Sequence, residues 1–437
     1  MPFVETIARY IQQQQLLDTR ERYLVALSGG ADSVCLMLVL MKLGYQLEAV
    51  HCNFHLRGEE SNRDEDFVKG LCESKGIELH LIHFDTETYA RTHQVSIEMA
   101  ARELRYRYFE QLRADIGAAG ICVAHHQDDS VETILMNLVR GTGIHGLTGI
   151  KPRNGHVLRP LLCVSRTDII DWLAHEGQPY VTDSSNLQAN IVRNKVRLSL
   201  LPVLEQLAPS ARSSILKTAS RLQQATLVYD AHVGNALSRL RQQDSICVTD
   251  LLSEPSPESI LFEWLTPYGF TPAVIEQVSQ SLPAQSGREW TSSTHQMTIN
   301  RDRLIIEPKQ PPRPTLRIPE TGTYIYDETA KIRVARHSGI VLEKNPDVAC
   351  LDAAKIVFPL TLRPIQPGDR FRPYGMKGTQ LISDYLTNRR LSIFEKRRTL
   401  VLCDAQDRIL WLVSHRPAAP FCITDSTTQT LMVQVCL

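Results

Sequence analysis

Tyr23-Leu24-Val25-Ala26-Leu27 runs straight into Ser28-Gly29-Gly30-Ala31-Asp32-Ser33, and a helix-like apolar stretch follows from Val34 to Leu43. A strand that ends in Ser-Gly-Gly and opens a helix makes a cradle for an anion. Its glycines let backbone amides approach phosphate oxygens, and the free N–H groups of the first helical turn carry partial positive charge. A bare Gly-Gly is more simply a tight turn; the whole hexapeptide between strand and helix is what points to phosphate binding. Ser28, Gly29, Gly30, Ala31, Asp32 and Ser33 are therefore the expected nucleotide-binding residues. No Gly-x-x-x-x-Gly-Lys-Ser/Thr motif occurs, so no lysine is aimed at β- and γ-phosphates, while Asp32 can help hold Mg2+. Such a loop suits cleavage at the α-phosphate, giving AMP and pyrophosphate, better than γ-phosphoryl transfer.

Strand and helix patterns alternate from Tyr23 to about Glu176. Strand-like runs at Leu47–His51, Glu78–Phe84 and Ile121–His125 alternate with helical stretches at Glu59–Lys75, Ser96–Ile116 and Asp128–Arg140. Strands at this spacing predict a parallel sheet with right-handed crossovers, whose ligands bind at the carboxyl ends of the strands. That placement gathers Ser28–Ser33, His51 and His125–Asp129 on one edge. Ala208 to about Leu240 reads as all-helical, Met297–Ile306 as a hairpin, and the prolines from Pro308 to Pro319 as a stiff linker. Short strand patterns then continue to Leu437.

Composition sets the outer limits. A chain of 437 residues holds two or three domains, and 43% hydrophobic with 22% charged residues is ordinary for a globular protein. No apolar run reaches the ~20 residues that span a bilayer, and the opening Met1–Glu5 lacks secretory-signal features. Ten cysteines occur singly, with no Cys-x-x-Cys, which fits a reducing cytoplasm and argues against a zinc ribbon or an iron–sulfur cluster. Net charge is zero, so a nucleic-acid partner requires a local basic surface.

Further constellations can carry chemistry. In His125-His126-Gln127-Asp128-Asp129-Ser130-Val131-Glu132-Thr133 a strand delivers the histidines and a new helix begins at the aspartates. Asp129 and Glu132 share a helical face, which suits magnesium binding or general-base work, although a helix cap accounts for the aspartates too. Glu98, Arg102 and Arg105 line one helix face, either as a solvated salt-bridge ladder or as arginines for phosphate. Asp183-Ser184-Ser185-Asn186 precedes Arg193-Asn194-Lys195-Val196-Arg197, whose cations suit a solvated helix start or contact with a polyanion. Gly141-Thr142-Gly143-Ile144-His145-Gly146 matches a dinucleotide fingerprint but follows a helix, so it is expected to be a sharp loop at the substrate mouth. Between Arg363 and Arg398, nine basic residues face three acidic ones, with Phe371, Tyr374, Tyr385 and Phe394 interleaved. Such a mixture suits a nucleic-acid surface, or a solvated face over core aromatics.

Together these segments resemble the PP-loop ATP pyrophosphatases and, within them, the tRNA(Ile)-lysidine synthetase family. The likeness rests on Ser28–Ser33, Val50-His51 with His55, and Glu98 with Arg102, Arg105 and Tyr106. It continues through His125–Thr133, Arg140–Gly143, Arg159-Pro160-Leu161-Leu162, Asp183–Asn186 and Arg193–Arg197 to Gly368-Asp369-Arg370-Phe371 in the tail. The resemblance implies an α/β fold: a parallel-sheet PP-loop (adenine nucleotide alpha hydrolase-like) domain over 1–205, a mainly helical domain over 206–310, and an α+β tail over 320–437. It implies a cytoplasmic ligase in which ATP adenylates the C2 oxygen of the wobble cytidine of a CAU-anticodon tRNA(Ile) and L-lysine displaces AMP.

By the same resemblance Asp32, Arg102, Arg105, Asp129 and Glu132 are catalytic, and Ser28–Ser33 with His51 and His125 bind ATP. Asp32 and Asp129 hold Mg2+, while Arg193, Asn194, Arg197, Arg370, Arg389 and Arg390 face tRNA. A homodimer is compatible with it. Lys377–Asp384 departs from the family's lysine-rich tail, and Arg389, Arg390 and Lys396-Arg397-Arg398 are expected to compensate. The competing functions are a tRNA sulfur transferase, which needs a catalytic cysteine or a cluster-binding Cys-x-x-Cys, a small-carboxylate amide ligase, and a non-catalytic tRNA- or nucleotide-binding module.

Overall fold

The computed structural model describes residues 3–182, 192–282, 287–327 and 330–436, so Asp183–Asn186 lie outside the described residues. The chain divides into two compact units, Met1–Asp230 and Ala231–Leu437.

The first unit begins with α1 (Phe3–Gln13), β1 (Arg22–Ala26), α2 (Ala31–Lys42), β2 (Gln46–Asn53) and α3 (Glu59–Lys75). There follow β3 (Leu79–His83), α4 (Thr86–His93), α5 (Ile97–Asp115), β4 (Gly120–Cys122) and α6 (Gln127–Val139). The antiparallel β5 (Arg153–Asn154) and β6 (Val157–Leu158) precede α7 (Arg166–His175), α8 (Val192–Lys195) and α9 (Leu201–Leu207). The strand order is β3-β2-β1-β4-β6-β5, parallel from β3 through β6. The order reverses between β2 and β4 on either side of β1, which opens a crevice at the carboxyl ends of β1 and β4.

Alternation along the strands builds a core on each face of this sheet. Val25, Ala49 and Cys122 pack against Ile7 and Ile11 of α1, Val34 and Leu38 of α2, Val68 of α3 and Ile169 of α7. Leu24, Val50 and Ile121 point the other way, onto Phe109 and Leu112 of α5. Val131 and Leu135 of α6 pack with Val196 and Leu201, which brings the chain after residue 192 alongside α6.

Helix α10 (Ala211–Leu240) runs in sequence from the first unit into the second. The second unit opens with a five-stranded sheet within 241–308, in which His295–Asn300 and Arg303–Pro308 form the expected hairpin. Helices Val248–Leu252, Pro257–Leu265 and Pro272–Ser281 accompany it. A five-stranded and a four-stranded antiparallel sheet follow, with helices Ile382–Asn388 and Ile393–Arg398, over a core that includes Leu362, Trp411 and Val433. No helix among the described residues is long and apolar enough to cross a membrane.

Candidate active site

Gly29 takes φ +89°, and Val181 N–H donates to its carbonyl at 2.9 Å, so the loop after β1 is held from the far side. Ser33 Oγ donates to Gly30 O at 3.0 Å and lies 3.1 Å from Ser28 Oγ, closing the hexapeptide on itself. Among the described residues no side chain caps the start of α2, so its first-turn amides stay open to an anion. Gly30 has ordinary φ of −73°, and a Cβ there would meet nothing nearer than Ser28 Oγ at 3.5 Å. Space has been left above it.

The loop forms one wall of a cavity of about 360 Å3 lined also by His51, Phe54, Arg102, Arg105, Tyr106, His125 and Arg193. The predicted convergence on one sheet edge is thus present. His51 Nδ1–H donates to Leu27 O at 2.8 Å, tying β2 to β1, and burial pushes its pKa down, so the neutral ring keeps Nε2 as an acceptor. Arg159 Nε–H donates to His125 Nδ1 at 3.2 Å. Burial, with Arg159, Arg193 and Arg102 nearby, pushes His125 down to about 4, and its neutral ring carries the proton on Nε2.

Asp32 lines the same cavity. Its Oδ2 lies 3.4 Å from Arg166 Nη1 and 3.8 Å from His126 Nε2, while its buried Oδ1 has no hydrogen-bond partner among the described residues. Burial raises its pKa. An unpartnered carboxylate oxygen of this kind fits a divalent cation or a water on one. Asp129 does not offer the same opening. Its Oδ2 accepts the His126 backbone N–H at 2.9 Å and its Oδ1 accepts Arg193 Nη2–H at 2.7 Å. Asp32 therefore fits the metal assignment, and Asp129 is a helix cap and arginine partner.

Glu132 also differs from expectation. Its side chain is fully buried and accepts Arg193 Nε–H at 2.6 Å and Arg197 Nε–H at 2.5 Å. Arg193 and Arg197 thus turn inward to α6, and Asn194 is buried beside them, rather than all three facing outward to RNA. The reason is electrostatic: two carboxylates one helical turn apart offer the arginines a better-defined partner than solvent. Asp128 makes a parallel staple, accepting from Arg212 Nη1 at 2.6 Å and from the Arg166 backbone N–H at 2.8 Å. Burial opposes charge on His126, but Asp128, Asp129 and Asp32 outweigh it and raise the His126 pKa.

Arg102 and Arg105 are not a salt-bridge ladder with Glu98. Neither makes a hydrogen bond or ion pair among the described residues; Arg102 lies 5.1 Å over Tyr106 and Arg105 5.1 Å over Phe54. They present unneutralised charge to the cavity. Cys52, the cysteine in its lining, is held protonated by burial, with a pKa pushed up to about 12. The Gly141–Gly146 loop does not line this cavity; it follows the C-terminal end of α6, whose N-terminal end carries the aspartates.

In the second unit Arg370, Arg389 and Arg390 are exposed, Arg389 lying 4.8 Å over Tyr385. The expected compensation from Lys396-Arg397-Arg398 is not what the fold provides. Arg397 makes a bidentate pair with Glu289 at 2.6 and 2.8 Å, and Arg398 reaches Glu307 at 2.9 Å, so both fasten the tail to the preceding sheet. Arg363 is likewise buried on Asp369, and among the interleaved aromatics Phe371, Tyr385 and Phe394 are core while Tyr374 is exposed.

A PP-loop domain model matches residues 3–204, and a TilS substrate binding domain model matches residues 241–309. A Bacteroides thetaiotaomicron protein named tRNA(Ile)-lysidine synthase is 44% identical over 431 residues, 99% of each chain. The chain belongs to the tRNA(Ile)-lysidine synthase family. Parabacteroides distasonis and Porphyromonas gingivalis proteins of that name are 45% and 37% identical, over 98% and 95% of this chain and 99% and 94% of theirs. In this lysidine synthase family member the cavity lies on the sheet edge to which strand and helix alternation pointed. The sequence pattern did not single out Phe54, whose loop Asn53-Phe54-His55 has no periodicity to mark it.

Proposed function

We propose that this chain is an ATP-dependent ligase that joins L-lysine to C2 of the wobble cytidine in a CAU-anticodon tRNA(Ile). One cavity carries this reading: it brings together a helix start without a side-chain cap, Asp32 and two guanidinium groups that have no polar partner among the described residues. A cytidine C2 oxygen attacks the α-phosphorus of ATP; the new O–P bond replaces the Pα–O–Pβ bond and pyrophosphate leaves. A lysine amine then attacks C2, the C2–O bond breaks, and AMP carries the oxygen away while the amine loses a proton.

The amides at the start of α2 hold phosphate oxygens, and Arg102 and Arg105 stabilise the negative charge that builds during adenylation. His125 and His51, both kept neutral, orient the nucleotide by hydrogen bonds without opposing that charge. Asp32 would hold Mg2+, which supplies charge neutralisation at the phosphates. Glu132 and Asp129 keep Arg193 in the cavity wall. Sulfur transfer is disfavoured because the Cys52 thiol is not ionised near neutral pH.

The three functional parts are 1–205, 206–310 and 320–437, with Arg370, Arg389 and Arg390 contacting tRNA phosphates in a cytoplasmic reaction. Incubation with ATP, labelled lysine and CAU-anticodon tRNA tests the proposal. Label in the tRNA, with AMP and pyrophosphate released, supports it; no tRNA-dependent label overturns it.

A further inference from the structure

Two arginines of the cavity, Arg102 and Arg105, rest on aromatic faces rather than on polar partners, Arg102 over Tyr106 of its own helix and Arg105 over Phe54, which comes from the loop after β2. Arg159 donates to a histidine and a carbonyl, Arg166 approaches Asp32, and Arg193 is clamped by Asp129 and Glu132. Arg105 instead lies against the face of Phe54. The opposite side of that pairing is equally defined. Phe54 stacks on Phe84 with centroids 5.5 Å apart and planes 24° apart, and Phe84 meets Tyr108 edge to face at 6.1 Å.

Tyr108 stands three residues after Arg105 on α5, so the chain of rings leaves that helix and returns to it. The backbone beneath is pinned too. Phe84 N–H donates to Asn53 O at 2.9 Å, and the Thr86 hydroxyl donates to Phe54 O at 3.2 Å.

A second cavity, of about 410 Å3, adjoins the nucleotide cavity. The two share Ser28, His51, Cys52, Phe54 and Arg105 as lining, so the Phe54–Arg105 pair stands at their junction. A carboxylate partner would fix Arg105 there but cancel its charge. An aromatic face restrains a guanidinium and leaves all its N–H donors and its full charge for an incoming anion.

We propose that Phe54 is a positioning residue for the adenylation step, holding Arg105 at the junction where the α-phosphate and the nucleophilic base meet. This rests on the proposed function. Positioning of a charged group acts on the transition state more than on ground-state binding, so its loss falls on kcat.

The test compares wild type, F54L, F54Y, R105A and the F54L/R105A double variant in tRNA-dependent AMP formation, with thermal midpoints alongside. F54L is expected to lower kcat roughly tenfold with little change in KM for ATP, and F54Y to restore most of it. On the R105A background F54L should cost nothing further, because the two residues act as one unit. Equal losses from F54L with and without Arg105, or a folded F54Y that restores nothing, would overturn the proposal. R105A with full activity would overturn it as well while leaving lysine incorporation into tRNA standing. Failure of the functional proposal itself would show separately, as a wild-type protein without tRNA-dependent AMP formation. Should F54L not fold, F54M is measured on both backgrounds with the same expectations.

Discussion

Arg193 Nε lies 2.6 Å from Oε2 of the fully buried Glu132, and that pairing turns a residue expected to face RNA into part of the cavity wall. Arg197 closes the same carboxylate from the other side at 2.5 Å. Removing one member of a buried, hydrogen-bonded ion cluster leaves uncompensated charge behind. E132A should therefore cost about 3–5 kcal/mol of stability by denaturant titration. A loss below about 1 kcal/mol would mean that Glu132 is not the clamp.

The two loop glycines should fail for different reasons. Gly29 adopts φ +89°, and a Cβ there would sit 3.3 Å from Phe67 Cδ1, so G29A should lose about 1–2 kcal/mol of stability. Gly30 has no such conflict, so G30A should melt with wild type yet bind ATP more weakly in calorimetry, its methyl group occupying space meant for phosphate. Equal ATP affinity in G30A would remove that loop face from the nucleotide site.

His125 gives the site a defined pH response. The unfolded chain takes up a proton at about pH 6.5, which the folded chain resists until about 4. Stability is indifferent to this group above pH 6.5 and falls as the pH drops through that window, because the unfolded state binds more protons there. H125N should flatten the stability profile between pH 6.5 and 4, measured as thermal midpoints. An unchanged slope would indicate a histidine already protonated in the fold.

In the tail, charge and function separate. Replacing exposed Arg389 and Arg390 by alanine should weaken tRNA binding and reduce the salt dependence of log K by about one for each phosphate no longer neutralised. R397A should leave that slope unchanged, since its guanidinium is spent on Glu289, and should show itself as lowered thermal stability. A reduced slope in R397A would reverse the assignment.

Local pattern made the ATP-binding end of the molecule readable. The run Glu59–Lys75 emerges as α3 with the expected bounds, and Ser96 caps α5 by accepting Met99 N–H at 3.2 Å. Helix α4 escaped notice because its eight residues, Thr86–His93, are largely polar and bury only Thr86 and Ala90. Spacing reported where positive charge lies but not what it meets. Arg193 finds Glu132 sixty-one residues away and Arg397 finds Glu289 at a separation of 108, distances over which no periodicity carries information. The strand-to-helix loop, by contrast, is written in consecutive residues.

In the proposed reaction the cavity turns a cytidine C2 oxygen into the leaving group. That step is tested most directly with a CAU-anticodon tRNA carrying 18O at C2 of the wobble cytidine, incubated with ATP and lysine and followed by mass spectrometry of the nucleotide products. The heavy oxygen is expected in AMP, one atom per lysine incorporated. Unlabelled AMP beside lysine-modified tRNA would rule out a C2-oxygen adenylate.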